Sequence, residues 1–232
     1  MGKTARTRGK GNGKRKDKRN AERRFNRSGV NHNMLTRSGK KKTLRVAFIF
    51  KVRNLDENHI NVTNFHKSLG VMNTTPKDFR NFKPTLQRYF ESKNDEYETL
   101  RNTVAEKIVC IGKYKMLKFP EYKKKRLDEM TIDFLNFLDH HGYLTPGTEE
   151  NLAPWVLNLK DENEKKLRKE LHLKYGTANA PPLQSHHITL DYDNNENGDF
   201  DCQVSLELER IVVSETNMRG ELVGPNLFSL VF

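Results

Sequence analysis

The sequence predicts an α+β fold: a helical middle, about residues 76–175, packed with one N-terminal strand and a C-terminal antiparallel hairpin and sheet. Three observations carry this expectation. Apolar residues alternate over 43–53 and again over 200–213, a period of two that puts every second side chain on one face of a strand. Between these segments they recur at spacings of three and four, the period of a helix with one buried side. Before residue 43 the chain is basic and almost without apolar area, so a core has to be built from residues 43–232.

The basic segment, residues 1–42, holds 16 lysines and arginines against Asp17 and Glu22, a net of +14. The whole chain is +12, so residues 43–232 sum to −2. The cations are Lys3, Arg6, Arg8, Lys10, Lys14, Arg15, Lys16, Lys18, Arg19, Arg23, Arg24, Arg27, Arg37, Lys40, Lys41 and Lys42. Such a segment repels itself and buries too little to offset the entropy of ordering, so it is expected to be a disordered arm. It should still attract polyanions, because lysine and arginine displace the counterions condensed on phosphates. Residues 14–24 (KRKDKRNAERR) contain neither glycine nor proline and are expected to turn helical against such a polymer. Arg37, Lys40, Lys41 and Lys42 stand just before the first apolar run, placed to clamp phosphate at the surface of a single folded domain, 43–232.

Residues 43–53 (TLRVAFIFKVR) read as an internal strand, with Leu44, Val46, Phe48 and Phe50 on one face and Ala47 and Ile49 on the other. A loop over 54–61 and a turn-rich region around Gly70 come next, then Thr74 as the N-cap of a helix entered through Pro76. That helix, 77–91, carries Phe79, Phe82, Leu86, Tyr89 and Phe90, and Pro84 should kink it or end a first piece at Lys83. A second helix is expected over 95–111, with Tyr97, Leu100, Val104, Ile108 and Ile111 on one side and Gly112 as its stop. A third spans 122–141 and ends at Gly142; its basic start, 123–126, opposes the helix dipole and reads as a solvated end or a phosphate contact.

Pro154 divides the apolar stretch 148–159, and a charged helix over 161–175 presents Leu167, Leu171 and Tyr175. After a connector at 176–182, strands at 187–192 and 200–213 are expected to form an antiparallel hairpin around a polar turn. The apolar phase slips between Leu208 and Ile211, which signals a bulge or burial of both faces. Residues 227–232 supply a last strand, buried in the domain or against a neighbouring copy.

The constellations tested for chemistry select no catalytic set and no cofactor. Asp191, Asp193, Asn195, Asn197, Asp199 and Asp201 resemble a calcium ladder, yet Glu196 stands where the EF-hand needs glycine and Cys202 where it needs a closing glutamate. A solvated loop without metal is the expectation. His140 with His141 and His186 with His187 lack metal-ligand spacing, and Cys110 and Cys202 fall on apolar faces as core thiols. Tyr89 beside Arg88 and Tyr114 between Lys113 and Lys115 are the best places for a base to stack, although Tyr89 is expected in the core and Tyr114 in solvent. No stretch approaches the roughly 18–20 apolar residues of a membrane span.

These readings lead to an expected structural role: nucleic-acid binding or packaging, as in a viral coat or nucleocapsid subunit. The arm would neutralise RNA, placed ahead of DNA, and the body would self-associate. The location is then the virion, or the nucleus or nucleolus for a cellular protein. One alternative is a nuclear or nucleolar module whose tail contacts RNA or DNA while its domain binds another protein. Another is a metal-dependent nucleic-acid-processing enzyme, which needs Asp191, Asp193 and His186 or His187 around one metal.

Overall fold

The computed structural model describes residues 41–231 apart from 153, 159, 177–185 and 218–219. The expected arm cations from Lys3 to Lys40, the helix expected over 14–24, most of the 176–182 connector and Phe232 lie outside the described residues. The order is β1 (Lys42–Arg53), β2 (Phe65–Thr74), α1 (Pro76–Ser92), α2 (Asn94–Glu98), β3 (Asn102–Ile111), β4 (Tyr114–Lys118), α3 (Glu121–His140), α4 (Pro154–Leu157), α5 (Glu162–Tyr175), β5 (His187–Asp191), β6 (Gly198–Thr216) and β7 (Leu222–Val231). The α+β class is borne out, with helices concentrated in the middle of the chain and antiparallel strands at both ends.

All pairings are antiparallel, in the order β2-β1-β6-β3-β4-β5. β7 joins β6 off this path. β1 is internal, as its two apolar faces require. β6 is 19 residues long; β1 lines one of its edges, and β3 and β7 share the other end to end. The phase slip after Leu208 is a bulge: Phe50 faces Leu208 and Ile49 faces Arg210, so Glu209 is the extra residue. It keeps Leu206, Leu208, Ile211 and Val213 all on the core side.

The segment 95–111 is not one helix. Its first residues form the short α2, and the rest is β3, hairpinned to β4 across Gly112-Lys113. Gly112 has φ 59°, the positive value such a two-residue turn needs at its first position, so it turns a hairpin and does not cap a helix. A register shift between Ala105 and Lys107, where Glu106 stands against both Cys202 and Gln203 of β6, explains the misleading spacing. Thr103 and Ala105 are buried at an interval of two, the register then skips, and Ile108 and Cys110 resume the inner face. The resulting step of three imitates a helical stripe, while Val104 and Ile111 point outward, 40% and 57% exposed.

The turn-rich region around Gly70 is instead strand β2, with its own bulge at Leu69. Glycine is needed there by packing: a Cβ on Gly70 would stand 3.2 Å from Phe134 Cε1 on α3. The N-cap is Thr75, whose hydroxyl accepts from the Asp78 amide at 3.1 Å, and Thr74 is the buried end of β2. α1 runs through Pro84 without ending at Lys83, since that proline stands on the exposed face where water can serve the Arg80 carbonyl. In α5, Leu167 is exposed and the inward face is Arg168, Leu171, His172 and Tyr175. Arg168 is tolerated there because its guanidinium pairs with Glu164 at 2.9 Å.

The hairpin expected between β5 and β6 does not form, because β3 and β4 stand between them and give each a partner. β5 instead meets the other end of the sheet: the Asn61 amide, just before β2, donates to the Leu190 carbonyl at 2.8 Å. The curled sheet packs on α1 and α3, with Phe228 of β7 against Phe90 at 6.3 Å, and the two helices meet through aromatic pairs, among them Tyr89 on Phe137 at 4.1 Å and Phe90 on Phe134 at 5.5 Å between centroids. Fully burying a side chain such as Phe134 contributes about 1.5–3 kcal/mol. On the opposite face a small cluster, Ala47, Ile49 and Val212, packs with Leu222.

Candidate nucleic-acid interface

Only two of the expected arm contacts fall among the described residues. Lys41 is exposed at the chain's entry to the sheet. Lys42 begins β1, and its ammonium is paired with the Glu215 carboxylate on β6, so that charge is already compensated within the fold. Of the two tyrosines weighed for base stacking, Tyr89 belongs to the core and its hydroxyl donates to Asp133 at 2.8 Å. Tyr114 is 44% exposed and meets Tyr192 edge to face, but Lys115 turns inward to Glu196 at 2.9 Å, leaving only Lys113 beside the ring in solvent.

A basic cavity of about 340 Å³ lies where β4 ends and α3 begins. Three parts of the fold converge on it. β3 and β4 pair Lys107 directly with Lys118, and both line the cavity; like charges opposite one another weaken a sheet, and here Asp199 on β6, 3.3 Å from Lys107 Nζ, offsets part of that repulsion. The chain then turns at Pro120, the N-cap of a 20-residue helix that has no side-chain cap, so the positive end of α3 opens here beside Lys124. Finally, the Phe119 amide donates to the His186 carbonyl at 3.1 Å, which brings the entry to β5 against the same wall.

His186 is only 5% exposed, and its Nε2 lies 2.7 Å from Asp128 Oδ1 on α3. Its Nδ1 is buried and has no hydrogen-bond partner among the described residues. Burial, with Lys67, His187, Lys124 and Lys118 around it, holds the imidazole below its ordinary pKa, so the ring is neutral near pH 7. With Nε2–H donating to Asp128, Nδ1 is left as an acceptor. Burial raises the Asp128 pKa against the pull of Lys124 and Lys67, and burial lowers that of Lys118.

The basic run 123–126 is divided in its roles. Lys123 caps the Thr99 carbonyl, Lys124 lines the cavity and pairs with Glu121 at 3.3 Å, and Arg126 reaches Glu96 at 3.3 Å. Asp128 and His186, 58 residues apart, were not legible as a pair, and reading β3 as helix hid the Lys107 and Lys118 pairing.

A second cavity, about 580 Å³, is lined by Asn64, His66, Tyr192, Glu221 and Val223 among others. His66 Nδ1 is 3.0 Å from Asn64 Oδ1, and burial, assisted by Arg45, pushes its pKa down to about 3. That wall offers neutral polar groups and one carboxylate. In the acidic loop, Asp191 Oδ1 accepts from the Asp193 amide at 2.8 Å and from Asn61 Nδ2 at 3.1 Å. Among the described residues no three histidine, cysteine or acidic side chains are grouped to hold a metal. Cys110 is buried and Cys202 partly so, and both are free thiols. No described helix is long and apolar enough to cross a membrane. Compared with known proteins, the chain matches no family model, and no curated protein matches it.

Proposed function

We propose that this chain is a structural nucleic-acid-binding or packaging protein, of the coat or nucleocapsid kind, in which residues 1–42 neutralise RNA or DNA and the α+β body assembles. One observation carries the reading. A net +14 precedes residue 43 and a net −2 comes after it, so the excess positive charge of the chain is confined to its N-terminal segment. The first described strand begins at Lys42, whose ammonium is paired with Glu215, and this agreement between the start of the sheet and the end of the charge excess supports the reading. Phosphate neutralisation by such a segment is strong, salt-sensitive and nearly independent of sequence.

Deletion of residues 1–40 tests it. Binding to a labelled single-stranded RNA at low salt should weaken by at least about tenfold, and the dependence of affinity on salt should flatten as phosphate contacts are lost. Circular dichroism should keep the signature of the α+β body. Undiminished affinity with an unchanged salt slope would refute the reading.

A further inference from the structure

We propose that the cavity at the start of α3 holds one ribonucleotide unit, its phosphate against Lys107, Lys118, Lys124 and the first amides of α3, and its neighbouring 2′-hydroxyl donating to His186 Nδ1. As a site on RNA, this rests on the nucleic-acid reading above and extends it from the N-terminal segment to the folded body.

The ligand is set by the wall. Lys107 and Lys118 face each other across β3 and β4, and Lys124 approaches from the first turn of a helix whose opening amides have no side-chain cap. Together they present an anion site built from fixed backbone and converging cations. Three carboxylates stand against a bound anion: Glu106 and Glu121 line the cavity, and Asp199 pairs with Lys107 at 3.3 Å. All three residues are exposed, and the Asp199 and Glu121 side chains, 48% and 86% exposed, can leave Lys107 and Lys124 to a phosphate. A phosphate alone does not account for His186. Its Nδ1 is a buried acceptor without a partner among the described residues, and such an atom costs free energy that a ligand donor, reaching it as the mouth side chains shift, would recover. The ligand therefore needs an anion and a donor close together. In RNA the 2′-hydroxyl and the 3′-phosphate sit on adjacent ribose carbons; DNA has the phosphate without the hydroxyl. A volume of about 340 Å³ is at the lower end of small-ligand sites, and Phe119 and Val109 supply an apolar wall for the sugar.

Calorimetry on the full chain tests this with three probes: adenosine 3′-monophosphate, its 2′-deoxy counterpart and inorganic phosphate. Saturable binding is expected, with the ribonucleotide favoured over the deoxynucleotide by about 3–10-fold, the worth of one hydrogen bond. The double variant Lys118→Gln, Lys124→Gln should weaken all three. His186→Phe should erase the ribo preference while phosphate still binds. Equal affinity for the two nucleotides in the unaltered chain overturns the proposal without recourse to any variant. So does an absence of saturable binding, or binding that the lysine substitutions leave unchanged. Titration with an RNA oligomer in parallel separates the two readings. Oligomer binding without nucleotide binding removes the cavity site and keeps the N-terminal mechanism. Nucleotide binding without oligomer binding overturns the nucleic-acid reading and assigns the cavity to free ribonucleotides.

Discussion

Lys67 on β2 lies directly opposite Phe48 on β1, on the face of the sheet that packs against α3. A lysine is thereby held in the core, 5% exposed, with its ammonium donating to the Ser68 carbonyl and Asp128 near enough to favour the charge. Burial outweighs that help and brings its pKa from 10.5 down to about 7.

Stability should therefore rise with alkalinity over a defined window. Below pH 7 Lys67 is protonated in both states, and the folded protein bears the cost of the buried charge. Between about pH 7 and 10.5 the unfolded chain keeps a proton that the folded chain has released, so unfolding becomes less favourable as pH rises. Lys67→Met should remove this contribution and stabilise the protein at pH 6–7 by about 1–4 kcal/mol. Thermal melts of both proteins across pH 6–10 check it; a lower melting temperature for the variant at pH 6 would mean that Asp128 depends on the lysine more than the core resents it.

Gly70 sets how closely α3 approaches the sheet. Phe134 and Leu135 are fully buried and have little room to retreat from a Cβ placed 3.2 Å from Phe134 Cε1. Gly70→Val should cost about 1–3 kcal/mol, with Gly70→Ala losing less. Denaturant midpoints measure the loss, and an unchanged midpoint for the valine variant would show that the helix shifts freely.

β7 offers an edge for the assembly proposed above. Among the described residues it pairs only with β6, and Val231, opposite Arg210, is 70% exposed near its end. Gly224 and Pro225 interrupt the start of the strand, which leaves its later half as the part able to extend a sheet. If copies join along this edge, Val231→Lys should shift sedimentation towards the monomer while leaving the melting temperature within about 1 °C, because the side chain has little packing to lose. An oligomer that survives the substitution unchanged would place the contact elsewhere.

What the sequence determined by itself was whatever a local period or a charge count can carry. β1, α1, α3 and α5 each bury a face against the core, so their apolar spacing survives in any arrangement that supplies a core. The slip after Leu208 announced the Glu209 bulge because alternation on both sides was long enough to reveal a change of phase. In β3 the alternation was too short, and the register shift between Ala105 and Lys107 turned Ala105 and Ile108 into an apparent helical step. β2 was hidden because its central Gly70 answers to Phe134 on a distant helix and not to any local turn. Tertiary structure alone decided that β5 pairs with β4, that Lys107 faces Lys118 and that His186 meets Asp128. The first and last of these join residues far apart in the chain, and the lysine pair follows from a hairpin that the irregular spacing of β3 concealed. No local period records which strand will stand between two others when the sheet closes.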